Sequence, residues 1–246
     1  MTTTDVRRLD GKTLDEALDL ADRAPFTSEE RLWDWRSAGD RIDLFTDTVD
    51  RDALHSCGAA LHHLRVALAA MGWRSAVERM PAGGAAGHVA RLVPLWDRDP
   101  AVTDIASAAA ISLRRGDPRE YGAEVVPWSV LSWLVERAYS QGAVLQPVID
   151  TQLRGQVLRA NPGVRSRAAG AVLVLTTEGD DEKAWLRAGE AMSAVLLAAT
   201  VWGLASCALP RAIDVPALRA QLRQTALNRV LHPQVVLRVG WPPVAR

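Results

Sequence analysis

Two long segments rich in small apolar residues superimpose on one another glycine for glycine, and this pair limits the folds open to the chain. Placing Gly58 on Gly189 aligns Ala60 with Ala191, Leu61 with Met192, Leu64 with Val195, Ala67 with Ala198 and Gly72 with Gly203. A helix that is apolar all round belongs in the middle of a protein, and a repeated one calls for two similar units sharing a core. The flanking order repeats as well. The alternating stretch "RIDLFTD" at 41–47 reads as a strand before the first helix, expected at 52–71, and "GAVLVLTT" at 170–177 stands before the second, at 182–202. A later strand follows each helix: "HVARLVPLW" at 88–96 and "PQVVLRVGW" at 233–241. Helices at 13–23, with Thr13 as N-cap and Glu16 three residues on, and at 127–140 complete the pattern. The expectation is an α+β fold of two similar halves, 1–110 and 111–246, forming an intrachain pseudo-dimer around the central long helices.

With 246 residues the chain can bury a substantial core. Its 29 basic and 29 acidic residues balance without long runs of one sign, which argues against a nucleic-acid partner. Cys57 and Cys207 lie far apart in alanine-rich surroundings, unlike a redox or zinc motif, and read as reduced core thiols of a cytoplasmic protein. "MTTTDVRRLDGK" has no apolar run of the secretory kind. Residues 191–210 approach membrane-spanning length, but Gly203, Pro210 and Arg211 interrupt and close them. They read as a buried helix, and no membrane partner is expected.

Other chemistry is thinly represented. His55 and His62 are two helical turns apart, yet no set of three or four zinc ligands stands near them, so His55, His62 and His63 read as solvated or capping residues. "PAGGAAGH" at 81–88 follows no dinucleotide-binding spacing and reads as a connection. A hydrolase triad picked from this chain would be arbitrary.

The segments "SCGAALHHLRVALAAMGW" (56–73), "WLRAGEAMSAVLLAATVWGLAS" (185–206) and "PQVVLRVGWP" (233–242) together resemble the FMN-dependent nitroreductase superfamily. The likeness is to its double-length, Acg-type branch, in which one chain carries both halves of what other members build as a homodimer. It implies a flavin at the junction of the halves. It also gives meaning to "APFTSEERLWDW" (24–35), where the family usually carries A-P-S-x-x-N-T-Q-P-W-x-W. Ala24, Pro25, Trp33 and Trp35 keep that frame, while Glu29, Glu30, Arg31 and Leu32 replace Asn, Thr, Gln and Pro. Ionised carboxylates cannot donate hydrogen bonds to a flavin as amides do, which leaves Arg31 as the cationic candidate there. Trp33 and Trp35 either stack on a flat ligand or form one core ring and one surface ring.

The family's Arg-x-Ser/Thr-x-Arg grip on the FMN phosphate resembles "LRRGDPREY" (113–121), which implies Arg114 or Arg115 with Arg119. Gly116 takes the place of the hydroxyl residue, and Asp117 would repel phosphate if it pointed inwards. Arg238 in "LRVGWP" stands where the family often places another phosphate-binding arginine, and the backbone of Gly203, Leu204 and Ser206 falls beside the flavin. The stretch joining the arginine run to "AVLVLTT" is shorter than the double-length branch usually has. The implied function is hydride transfer from NAD(P)H through FMN to a small electron-poor acceptor such as a nitroaromatic or quinone. The alternative is a flavin-sequestering or flavin-free scaffold. A homodimer of whole chains is compatible with either.

Overall fold

The computed structural model describes residues 8–25, 31–97, 99–164, 170–225 and 229–243. In chain order the elements of the first sheet and its helices are α1 (Gly11–Ala21), β1 (Asp34–Ala38), β2 (Arg41–Phe45), α2 (Arg51–Ala70), β3 (Trp73–Arg79) and β4 (His88–Trp96). Next come α3 (Val102–Leu113), α4 (Trp128–Tyr139), β5 (Val144–Pro147), α5 (Thr151–Arg159) and β6 (Ala171–Thr177). The remainder is α6 (Glu182–Val201), β7 (Ala205–Ala208), α7 (Arg211–Asp214), α8 (Pro216–Thr225) and β8 (His232–Gly240).

The two long helices start alike. Asp50 and Asp181 have extended backbones and accept the amides of Ala53 and Ala184, each at 2.8 Å, so each supplies an acceptor for an otherwise unpaired N–H of the first turn. α2 and α6 then pack on one another through their glycines. A Cβ on Gly58 would collide with the Leu186 carbonyl oxygen, and one on Gly189 with the His55 carbonyl oxygen. Any side chain at either position would drive the backbones apart. One turn on, His62 Nδ1 and Ser193 Oγ share a 2.8 Å hydrogen bond, at the 131-residue separation that also relates Gly58 to Gly189.

The strands follow the same parallel. One sheet has the order β1-β2-β4-β3 and the other β5-β6-β8-β7, with every neighbouring pair antiparallel. Register shifts fall between Leu44 and Phe45 in the first and between Leu175 and Thr176 in the second. Just beyond, Thr46 Oγ1 donates to the Thr48 carbonyl at 2.9 Å and Thr177 Oγ1 to the Gly179 carbonyl at 2.8 Å. The main core lies where α2 and α6 meet the sheets, with Leu44, Leu61, Leu64, Leu175, Val195 and Leu237 among its residues. A second cluster, including Val157, Leu209, Leu222 and Val236, forms where α5, α7 and α8 pack beside the second sheet.

Several expectations change in detail. Asp10, not Thr13, caps α1: its carboxylate accepts both the Thr13 amide at 2.9 Å and the Thr13 hydroxyl at 2.8 Å. The three helix histidines are buried, which corrects the solvated or capping reading. Among the described residues no three His, Cys, Asp or Glu side chains gather as metal ligands. Among the described residues one helix, α6, is long and apolar enough to cross a membrane, and 78% of its apolar window is buried in the fold. It also carries Glu190, which is 0% exposed and accepts from Arg65 Nη1 at 2.9 Å and from Arg79 Nε and Nη2 at 2.6 and 2.8 Å. A buried carboxylate persists only when its charge and lone pairs are met in this way.

Candidate functional site

The tryptophan pair of 24–35 is organised by an acid that its own spacing does not reveal. Asp22, at the end of α1, accepts Trp33 Nε1 at 3.0 Å and Trp35 Nε1 at 3.3 Å on one oxygen, and Arg31 Nη1 at 2.5 Å on the other. Trp33 is 4% exposed and belongs to the core, while Trp35 is half-buried against it. The pair is thus a frame anchored at Asp22, with Trp33 turned inwards. Glu29 and Glu30, the altered part of the loop, lie outside the described residues.

The arginine run follows α3 directly. Arg115 is exposed and folds back, Nη1 donating to the Ser112 and Arg114 carbonyls at 2.9 and 2.7 Å, near the helix end where cations are favoured. Arg23 Nη1 donates to Ser112 Oγ at 3.0 Å, tying the end of α1 to this corner. Arg114 is half-buried beside His63, and its Nε has no hydrogen-bond partner. The His63 ring nitrogens likewise make no hydrogen bond of ordinary geometry. Burial, helped by the Arg114 charge, pushes the His63 pKa down to about 3, so its imidazole is neutral at neutral pH. Burial and the neighbouring Arg115 lower that of Arg114.

Beyond Gly116 the chain lies along β7: Gly116 bridges Ser206 in parallel fashion, and the Asp117 amide donates to the Ser206 carbonyl at 2.9 Å. Asp117 Oδ1 and Oδ2 accept Arg119 Nε and Nη2 at 2.9 and 2.8 Å, a bidentate pair that lowers the Asp117 pKa. The Tyr121 hydroxyl donates to the Asp117 carbonyl at 2.8 Å, and its ring packs over Gly170 and Gly240. Under this ring sits Arg238, 1% exposed, its guanidinium carbon 3.9 Å from the ring centroid and its Nη1 donating to the Arg119 carbonyl at 3.2 Å.

Arg119, Ser206 and Arg238 are therefore brought together around Asp117 and Tyr121. Arg114 and Arg115 stand at the neighbouring corner. Arg31 and Trp33 gather separately at Asp22. Gly203, with φ of 72°, ends α6, its amide bonded to the Thr200 carbonyl at 3.0 Å, and Leu204 turns into the core. The donor set fits a phosphate in part. Arg115 and Arg119 present guanidinium groups at the surface, whereas the unpaired Arg114 Nε and His63 nitrogens are buried. Arg238, by contrast, is sealed under Tyr121, and Asp117 already occupies the fork of Arg119. Asp117 and His63 were not among the residues expected to bind the cofactor. For Asp117 the signal was present, a carboxylate inside an arginine run; for His63 only the packing of α2 supplies it.

No family model matches the chain. It is 31% identical to the "Putative NAD(P)H nitroreductase Rv3131" of Mycobacterium tuberculosis strain H37Rv, over 96% of this chain and 87% of that protein. It is 28% identical to the "Putative NAD(P)H nitroreductase acg" of the same strain, over 99% and 91%. The alignment with the first runs to 299 positions, longer than the 246-residue chain, so the relative carries segments with no counterpart here. A "putative nitroreductase" from Anabaena variabilis superposes with a TM-score of 0.62 at 11% identity, covering 82% of this chain and 69% of that one. The fold thus has a counterpart among solved structures, and the extent of the sequence match to the mycobacterial proteins establishes that this chain belongs to the nitroreductase family.

Proposed function

We propose that the chain is an oxidoreductase that moves hydride from NAD(P)H to an electron-poor acceptor such as a nitroaromatic or a quinone, with FMN as cofactor. The observation that carries this reading is the convergence, from three separate segments, of Arg119 and Arg238, which the family resemblance assigns to the FMN phosphate, with Ser206, which it assigns to the backbone beside the flavin. FMN supplies a ring that takes hydride and passes it on, so no catalytic acid from the protein is required. The chain's own residues do the holding. Arg115 and Arg119 meet the phosphate at the surface, while Arg238 acts from beneath, bracing the Arg119 carbonyl and the Tyr121 ring. Arg31, held by Asp22, places a cation near the ring, and half-buried Arg114 adds positive charge at the junction. In this reading 1–110 and 111–246 are the two halves of an intrachain pseudo-dimer, a second chain is not needed to complete the site, and the protein works in the cytoplasm.

The Asp117–Arg119 pair favours a second reading, a flavin-free or flavin-sequestering scaffold, because phosphate must displace a carboxylate already in bidentate contact. Titration of purified protein with FMN, followed by flavin fluorescence and by NAD(P)H-dependent reduction of a nitroaromatic, separates the two. Saturable FMN binding with turnover supports the oxidoreductase. Asp117→Asn, which removes the competing charge, is expected to tighten FMN binding about tenfold. FMN binding without turnover would leave the flavin-sequestering scaffold, and negligible FMN binding by both wild type and Asp117→Asn only the flavin-free one.

A further inference from the structure

Two cavities, of about 250 and about 490 Å³, adjoin away from the Arg119–Arg238 cluster. Arg65, Ser140 and Gln141 line both, which makes them compartments of one groove. The smaller compartment is lined by residues of α2, α3, α4 and α6, and on its wall the Arg137 guanidinium stacks 4.3 Å from the centroid of the Trp133 ring. That stack presents a flat, cationic face to a planar ligand.

The larger compartment gathers Arg65, Arg79 and Arg187, with Glu178 as the one acid among the described residues of its wall. Glu190 faces Arg65 and Arg79 from the interior, and its two oxygens take three guanidinium hydrogen bonds. Arg187 has no carboxylate partner among the described residues, and its Nε is buried without a hydrogen bond. Gly142 makes room for it: that residue has φ of 82°, and a Cβ there would stand 2.7 Å from Arg187 Nη1. The turn after α4 thus seats a guanidinium without a counter-ion. Three arginines opposed by one fully engaged carboxylate and one at the wall leave a positive surplus in a recess, the arrangement that receives an oxyanion through forked donors.

We propose that this groove binds a heteroaromatic phosphate, with the phosphate against Arg187 and the outward edges of Arg65 and Arg79, and the ring against the Trp133–Arg137 face. This site is separate from the proposed flavin grip and does not depend on it.

The test titrates the protein with adenosine 5′-monophosphate, inorganic phosphate and adenosine, reading tryptophan fluorescence and thermal shift. Wild type is expected to bind the monophosphate more tightly than phosphate and to ignore adenosine. Arg187→Gln should weaken both phosphate probes about ten- to a hundredfold, the usual effect of losing one charge-assisted contact, while Arg187→Lys retains part of the affinity. Trp133→Leu should weaken the monophosphate and leave inorganic phosphate unchanged, which keeps the test open if Arg187→Gln fails to fold. Arg119→Glu, which cripples the flavin grip, should leave all three titrations as in wild type. No response of wild type to either phosphate probe, or equal affinities in wild type and Arg187→Gln, overturns the proposal.

Discussion

At the scale of single residues, short acids decide where the large polar side chains go. Asp22 holds two indoles and a guanidinium, so Asp22→Ala would leave the buried Trp33 N–H without its acceptor. The contribution of the exposed Arg31 pair is small, but two indole bonds to a carboxylate, one of them buried, are together worth about 2–4 kcal/mol. Urea denaturation followed by tryptophan fluorescence should show a loss of that order, and an unchanged midpoint would mean that the frame is set by packing alone. The sequence made the tryptophans conspicuous and left Asp22 unremarked, because its bonds reach 11 and 13 residues along the chain, beyond any local pattern. Arg238 is the converse case. Its place beside the 114–121 segment was legible from resemblance, but its burial under Tyr121 depends on the close approach of Gly170 and Gly240 to that ring, which only the fold reveals.

At the scale of elements, the apolar repeat located α2 and α6 within about one residue at each end, and β4 to the residue, because long patterns average over local exceptions. Short or mixed elements were not foreseen. β3 alternates burial as an edge strand but spells "WRSAVER", with Arg74, Ala76 and Glu78 in the outward positions and Arg79 turned towards Glu190, and α5, α7 and α8 acquire their apolar faces only by packing beside the second sheet. The glycine register makes a sharp prediction. Gly58→Ala and Gly189→Ala each set a methyl against a backbone carbonyl that no rotamer change can move, so each should cost more than the 1–3 kcal/mol typical of overpacking. Gly116→Ala meets nothing within 4 Å and serves as the matched control. Chemical melts in which the two helix variants lose no more than the Gly116 variant would mean that α2 and α6 can separate at little cost.

At the scale of the whole molecule, burial of titratable groups where the two sheets' helices meet couples folding to pH. Burial pushes the pKa values of both His55 and His63 to about 3, assisted by the charges of Arg51 and Arg114 respectively. Unfolded histidines titrate near 6.5, so between these values the unfolded chain binds protons that the folded one refuses. The stabilisation is complete above about pH 6.5 and drains away as pH falls towards 3. Each histidine contributes a slope of about 1.4 kcal/mol per pH unit within that window. Asp180 acts lower down. Its burial raises its pKa, but hydrogen bonds from Trp185, Gln234 and Arg219 outweigh that and bring it to about 2. Its contribution, on the order of 2 kcal/mol, is present above pH 3.8 and fades as pH falls towards 2. Because Asp180 also accepts Arg51 Nη2 at 3.1 Å, its protonation loosens the start of α2 from the second sheet. The two sources separate by variant. Unfolding free energies measured from pH 7 to 4 should fall steeply in wild type, and His55→Leu should remove about 1.4 kcal/mol per unit from that slope while Asp180→Asn lowers stability across the range without flattening it. A His55→Leu slope equal to that of wild type would show that His55 accepts a proton in the folded protein, and that the packing of α2 on α6 is loose enough to hydrate it.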